Sequence, residues 1–327
     1  MRDIGIDLGT TNILIYVKGK GVVLNEPSVV SIDTNSKKVL AVGKEAKEML
    51  GRTPGKVRII KPMKDGVIAD FDITEEMLRR FIKKAIGKNL LSKPRILICC
   101  PSNITGVEKN AIKEIAERTG ARKVFIEEEP KVAAVGAGID IAKPSGSMVI
   151  DIGGGTTDIA VLSLGGIVTS DSIKIAGNSF DVDIIDQVKE KYKVIIGEKT
   201  AEEIKVEIGT VIKKKEHKEK SVTGRSITTG LPETITVTSE DIEEALRQDI
   251  KKITAVAKNV LEKTPPELAA DIADKGIVLT GGGALISGLV PKLKEELKVP
   301  VFISDNPLTN VVEGTAILLE NLHLIDN

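Results

Sequence analysis

The chain contains no tryptophan, and aromatic residues make up only 2% of its 327 residues. A base-stacking platform for nucleic acid is thereby excluded, and the core must rest on Ile, Val, Leu and Ala. Neither sign of charge is in excess: 47 Lys and Arg balance 47 Asp and Glu. A net charge of zero supplies no electrostatic footprint for nucleic acid. Histidine occurs twice, as His217 inside a charge run and His323 near the C-terminus. Two scattered imidazoles exclude a His-based metal centre. Cysteine also occurs twice, at the adjacent positions Cys99 and Cys100. Neighbours cannot staple a loop, so in the apolar run from Ile96 they read as small buried strand residues. That usage fits a reducing cytoplasm. No apolar run reaches the roughly 18–20 residues needed to span a bilayer. The N-terminus enters a strand-like segment without a signal-peptide core. A Gly-x-x-x-x-Gly-Lys-Ser/Thr run is missing too, which excludes a P-loop.

What is present is a repeat. Ile4-Gly5-Ile6-Asp7-Leu8-Gly9-Thr10-Thr11-Asn12 leads into the apolar run Ile13 to Val17. Met148-Val149-Ile150-Asp151-Ile152-Gly153-Gly154-Gly155-Thr156-Thr157-Asp158 leads into Ile159 to Leu162. Each copy reads strand, Gly-Thr-Thr turn, strand, Gly-rich turn and a further apolar run. Asp7 and Asp151 stand about 144 positions apart. The length suits two domains, so a duplicated α/β architecture is expected, each half opening with an antiparallel meander.

Helices are predicted over 74–85, with a cap near Thr74, and over 106–119, 181–192, 200–215, 239–263, 288–297 and 313–322. Strands are predicted over 95–101, 124–127, 277–280 and 299–303. The run Lys213 to Lys220 reads as a solvated helix end or loop.

Four elements carry chemistry. The two Gly-Thr-Thr turns let backbone N–H groups approach phosphate oxygens, and the Thr hydroxyls add donors. Asp7 and Asp151 start those turns. Two carboxylates facing a triphosphate would repel it unless Mg²⁺ lay between them, held through water. Second, Glu127-Glu128-Glu129-Pro130 precedes an Ala-rich helix. A carboxylate at its mouth could orient water against a γ-phosphate, and a solvated acidic first turn accounts for the same residues equally well. Third, Glu202 and Lys205 share a helix face at i, i+3. They could contact a ribose or adenine edge, although a plain surface ion pair is the simpler reading. Fourth, Gly281-Gly282-Gly283 between a strand and a helix lets backbone lie flat against a ligand.

At these residues the sequence resembles the actin, Hsp70 and sugar-kinase superfamily. Within it the chain is similar to the MreB family of bacterial actins along nearly its whole length. Asn25-Glu26-Pro27-Ser28-Val29-Val30, Pro62-Met63-Lys64-Asp65-Gly66 and Thr264-Pro265-Pro266-Glu267-Leu268 carry the likeness. Cys99-Cys100-Pro101 and Glu127 to Ala134 resemble its Mbl branch.

The resemblance implies an actin-like fold of two domains around an ATP cleft: domain I over 1–142 and 313–327, with a small subdomain over 33–75, and domain II over 143–312, with one over 184–250. It implies an ATPase using ATP, ADP and Mg²⁺ that assembles with itself into paired filaments. These would lie at the inner face of the cytoplasmic membrane with cell-wall elongation proteins, organise peptidoglycan synthesis and hold rod shape. It places phosphate contacts at Thr10, Thr11, Asn12, Gly154, Gly155 and Thr156. Nucleoside contacts fall at Glu202, Glu203, Ile204, Lys205, Gly282, Gly283, Ala284 and Leu285. The catalytic carboxylate maps to Glu129.

Three features depart from the family pattern. Thr11 replaces an Ala, Asn178 stands where an Asp is usual and weakens any polar role there, and Met1-Arg2-Asp3 leaves no room for an N-terminal amphipathic helix. Membrane contact then falls to Leu90 and Leu91, which an ordinary buried pair would explain as well. A metabolic kinase would need an acceptor pocket, and an Hsp70-type chaperone a peptide-binding domain. The sequence suggests neither.

Overall fold

In a computed structural model, residues 3–53, 55–87, 93–213 and 218–325 are described. Leu90, Leu91 and His217 lie outside them. The first half begins with β1 (Asp3–Leu8), β2 (Asn12–Val17), β3 (Gly21–Pro27), β4 (Val30–Asp33), β5 (Val39–Val42), α1 (Lys44–Glu48), β6 (Val57–Ile60), β7 (Met63–Lys64) and β8 (Val67–Ile68). It continues with α2 (Phe71–Ile86), β9 (Arg95–Cys100), α3 (Gly106–Arg118), β10 (Lys123–Glu128) and α4 (Glu129–Gly136). The second half runs β11 (Ser147–Ile152), β12 (Thr157–Ser163), β13 (Gly166–Ile173), α5 (Gly177–Tyr192), β14 (Val194–Ile195), α6 (Glu198–Ile208), β15 (Glu219–Ser226) and β16 (Pro232–Thr238). It closes with α7 (Ser239–Lys263), α8 (Pro266–Lys275), β17 (Ile277–Thr280), α9 (Leu289–Leu297), β18 (Val301–Ile303) and α10 (Asn310–Glu320).

The repeat seen in the sequence is a repeat of topology. One five-stranded sheet has the order β10-β9-β1-β2-β3, the other β18-β17-β11-β12-β13. In each, the meander is antiparallel and the two later strands join in parallel. Even the bulge recurs. It falls between Ile15 and Tyr16 in the first meander and between Val161 and Leu162 in the second, at matching positions when Thr10 is set on Thr156. Two smaller three-stranded sheets have the orders β5-β4-β6 and β14-β15-β16.

The halves join through α4 and α10. A Cβ on Gly136 would come within 1.8 Å of the Asn310 carbonyl oxygen, and one on Gly314 within 2.0 Å of that of Val132. Only glycine permits this approach. Around the crossing, Leu97, Cys99, Val132 and Ala133 share a core with Val149, Ala160, Leu162 and Leu318. Cys99 and Cys100 are buried free thiols, and burial raises both well above the ordinary thiol range.

Some boundaries differ from the sequence expectation. Helix α2 starts at Phe71, because Asp70 accepts from the Ile73 amide and caps it; Thr74 is instead buried, its hydroxyl donating to the Asp70 carbonyl at 2.6 Å. The helix expected to reach residue 215 stops at Ile208. Gly209 turns the backbone to an extended conformation, and Thr210 then bridges Ser287. The last helix begins at Asn310, ahead of the expected 313. No helix among the described residues is long and apolar enough to cross a membrane.

Candidate nucleotide cleft

The β1–β2 and β11–β12 turns meet face to face. A Cβ on Gly154 would lie 1.9 Å from the Thr11 hydroxyl oxygen, and one on Gly155 2.5 Å from that of Thr10. Bare glycine therefore sets the spacing between the loops. Thr11 Oγ1 donates to Asn178 Oδ1 across the cleft at 3.0 Å. Asn178 thus holds a polar contact that its departure from the family pattern did not suggest. Thr10 Oγ1 accepts from the Gly66 amide at 2.9 Å, and the Ser28 hydroxyl donates to the Gly9 carbonyl at 2.6 Å.

Between the loops lies a cavity of about 880 Å³. Asp7, Thr10, Thr11, Asn12, Glu129, Asp151, Gly154, Gly155, Thr156, Glu202, Lys205, Gly282, Gly283 and Leu285 all line it. Three residues named from the resemblance do not. Ile204 and Ala284 are buried with the second-half core, and Glu203 lies 3.9 Å from Lys199 on the helix surface.

Glu202 and Lys205 do not form the surface pair that their spacing allowed. Glu202 reaches across the cleft to Lys47 at 2.8 Å, while Lys205 binds Asp181 Oδ1 and the Gly177 carbonyl, each at 2.8 Å. A second cross-cleft pair joins Lys61 to Glu198 at 2.5 Å. Lys44 and Arg52 line the same side. Sequence reasoning missed these cations, and no local signal marks Lys47 and Lys61, since their partners lie more than a hundred positions away. Val206, Leu285 and Leu308 line the cavity although they are exposed, which leaves an apolar slot beside the Gly-rich turn.

The acidic side chains are clustered; Asp151 and Glu129 are buried and Asp7 is half-buried. Burial, followed by the charge of Asp151, pushes the Asp7 carboxyl up to about 7. Burial also raises Asp151 to about 7, against the hydrogen bond that Thr280 donates to its Oδ1 at 2.6 Å. Glu129 is held well above the usual carboxylate range by burial and then by Asp158, Asp7 and Asp151. Such a cluster calls for a cation. Among the described residues no three His, Cys, Asp or Glu side chains converge as a metal cage. Two facing carboxylates nonetheless suit Mg²⁺, which keeps most of its shell for water and phosphate.

Two duplicated halves closing on a cleft lined by Gly and Thr turns define the class as an actin-like protein. The chain belongs to the MreB/Mbl family of cell shape-determining proteins: the family model described as MreB/Mbl protein matches residues 1–327. It is 61% identical over 321 residues to the cell shape-determining protein Mbl of Bacillus subtilis (strain 168), covering 98% of this chain and 96% of that one. The crystal structure of MreB5 of Spiroplasma citri bound to AMPPNP is similar, with a TM-score of 0.94, 42% identity and coverage of 98% and 97%. A second structure of that protein, bound to ADP, agrees equally well. The MamK double helical filament shares the fold, with a TM-score of 0.84 at 24% identity and coverage of 98% of each chain.

Proposed function

We propose that the cleft binds ATP with Mg²⁺ and hydrolyses it, and that nucleotide state governs self-assembly. The observation that carries this reading is the face-to-face pair of Gly-Thr-Thr turns, which brings residues of both halves to the lining of one cavity. Thr10, Thr11, Asn12, Gly154, Gly155 and Thr156 would grip the phosphates through backbone N–H groups and hydroxyls. Gly282, Gly283 and Leu285, with Val206 and Leu308, would take the base, and Glu202 and Lys205 the ribose. Asp7 and Asp151 would hold Mg²⁺ through its water shell. The ion supplies charge neutralisation of the phosphates and of the two carboxylates. Glu129, buried and facing the cavity, would accept a proton from the attacking water. Similarity to MreB5, solved with AMPPNP and with ADP, supports the nucleotide assignment.

In this reading residues 1–142 with 313–327 form one domain and 143–312 the other, and the nucleotide sets the angle between them. The product is a filament of paired protofilaments at the inner face of the membrane, working with cell-wall elongation proteins in peptidoglycan synthesis and rod shape. Support comes from the family and from the fold shared with MamK, solved as a double helical filament. Leu90 and Leu91 remain the proposed membrane contact. Two leucines supply only about 1.5–3 kcal/mol each when fully buried, so repetition along a filament would be needed. Isothermal titration and phosphate release with Glu129→Ala test the enzymatic half. Mg-ATP binding is expected to persist and phosphate release to slow by about 100-fold or more; unchanged release would remove Glu129 from the reaction.

A further inference from the structure

The corner between β10 and α4 places Glu129 in the cleft, yet no side chain caps it. Glu128 occupies the N-cap position and accepts no hydrogen bond from the first turn of the helix. Pro130 fixes a single torsion. What spans the corner is an ion pair, Lys131 Nζ to Glu127 Oε2 at 3.2 Å, with side chains only 2% and 4% exposed. Glu127 sits on β10 opposite Cys99 of β9. Lys131 lies in the first turn of α4, the helix locked against α10. Neither residue lines the cleft, whereas Glu129, midway between them in sequence, does.

A buried ion pair is a poor source of net stability. Desolvation consumes most of the attraction, and apolar side chains of similar size often do as well. What such a pair supplies is one geometry, because either partner is costly to strand away from the other. Here that geometry is the angle at which strand passes into helix, and with it the direction of the residue between them. We infer that the Glu127–Lys131 pair is a positioning clamp for Glu129, acting on the hydrolytic step and not on nucleotide affinity. The inference rests on Glu129 being the group that activates water. Misplacing a reacting group by an ångström can cost about 100-fold in rate.

The test replaces the pair as a unit with Glu127→Met/Lys131→Met. The double variant is expected to unfold cooperatively and to bind Mg-ATP within about twofold of the parent, while kcat falls at least about tenfold. Its crystal structure is expected to show the Glu129 carboxylate displaced. Parental kcat together with an undisplaced Glu129 would overturn the clamp. Glu129→Gln, assayed in parallel, separates the two claims. If that variant kept full turnover, the water-activating role would fall, while the clamp would still be judged by where Glu129 sits in the double variant. Should the double variant not fold, Glu127→Gln keeps an acceptor for Lys131 and removes the charge. A parental kcat and an unmoved Glu129 there would likewise overturn the clamp.

Discussion

Substituting Gly154 by alanine tests the contact between the two Gly-Thr-Thr turns with a single methyl group. Its backbone is not in the left-handed region, so alanine meets no torsional penalty. The penalty is spatial. The new Cβ would stand 1.9 Å from Thr11 Oγ1, 2.6 Å from Thr11 Cβ and 3.3 Å from the Thr11 nitrogen. Two of these contacts are far inside van der Waals separation, so the turns must part. Overpacking of this kind costs about 1–3 kcal/mol, a factor of about 5–150 in an equilibrium constant. Gly153 supplies the control, since a Cβ there would meet only the Thr156 carbonyl oxygen, at 3.4 Å. Titration with a fluorescent ATP analogue in Mg²⁺ is expected to show Gly154→Ala weakened by that factor and Gly153→Ala close to the parent. Adding Thr11→Ala removes the 1.9 Å clash and leaves the 2.6 Å one, so it should restore part of the loss. Equal affinities for both alanine variants would refute a grip set by the spacing of the loops.

Other outcomes follow from the same geometry. Lys47→Ala/Lys61→Ala removes both cross-cleft pairs. All four side chains are more than a third exposed, so stability should change by less than about 1 kcal/mol. Release of a fluorescent ADP analogue should quicken a few-fold and lose its salt dependence; matching rates and salt slopes in stopped flow would exclude these pairs from exchange. Asp3 accepts from Arg95 at 2.8 and 2.6 Å, and that hydrogen bonding holds its carboxyl below the usual range. The folded value is depressed, so its stabilisation is full above the unfolded carboxylate value of about 4 and fades as pH falls through the folded one. Urea unfolding of Arg95→Met should show a deficit of about 1.5–3 kcal/mol at neutral pH that shrinks in acid; a deficit that grew in acid would contradict this.

The parts legible in the sequence were those with a local signature. The paired turns announced themselves through Asp, Gly and Thr at matched spacing, and the topological duplication followed. Helix α7 was readable end to end, because its apolar stripe is long and Thr238 with Asp241 forms a capping box. The β5-β4-β6 sheet left little trace, since its strands have only four residues each and mixed burial. Helix α6 was drawn too long because Ile208, Val211 and Ile212 keep helical spacing, while Gly209 ends the helix. Glu202 and Lys205 both line the cavity. Their partners Lys47 and Asp181 were beyond reach, because only the folded chain brings them together. Asn178 was undervalued for the same reason: its partner Thr11 lies across the cleft.

Sedimentation of the purified chain at micromolar concentration, with Mg-ATP, with Mg-ADP and without nucleotide, each with and without anionic vesicles, tests the proposal that ATP in this cleft controls assembly. Pelletable polymer that forms with Mg-ATP, and that Gly154→Ala forms only at higher nucleotide concentration, is the outcome expected. Absence of polymer under every condition, or equal polymer without nucleotide, would contradict it.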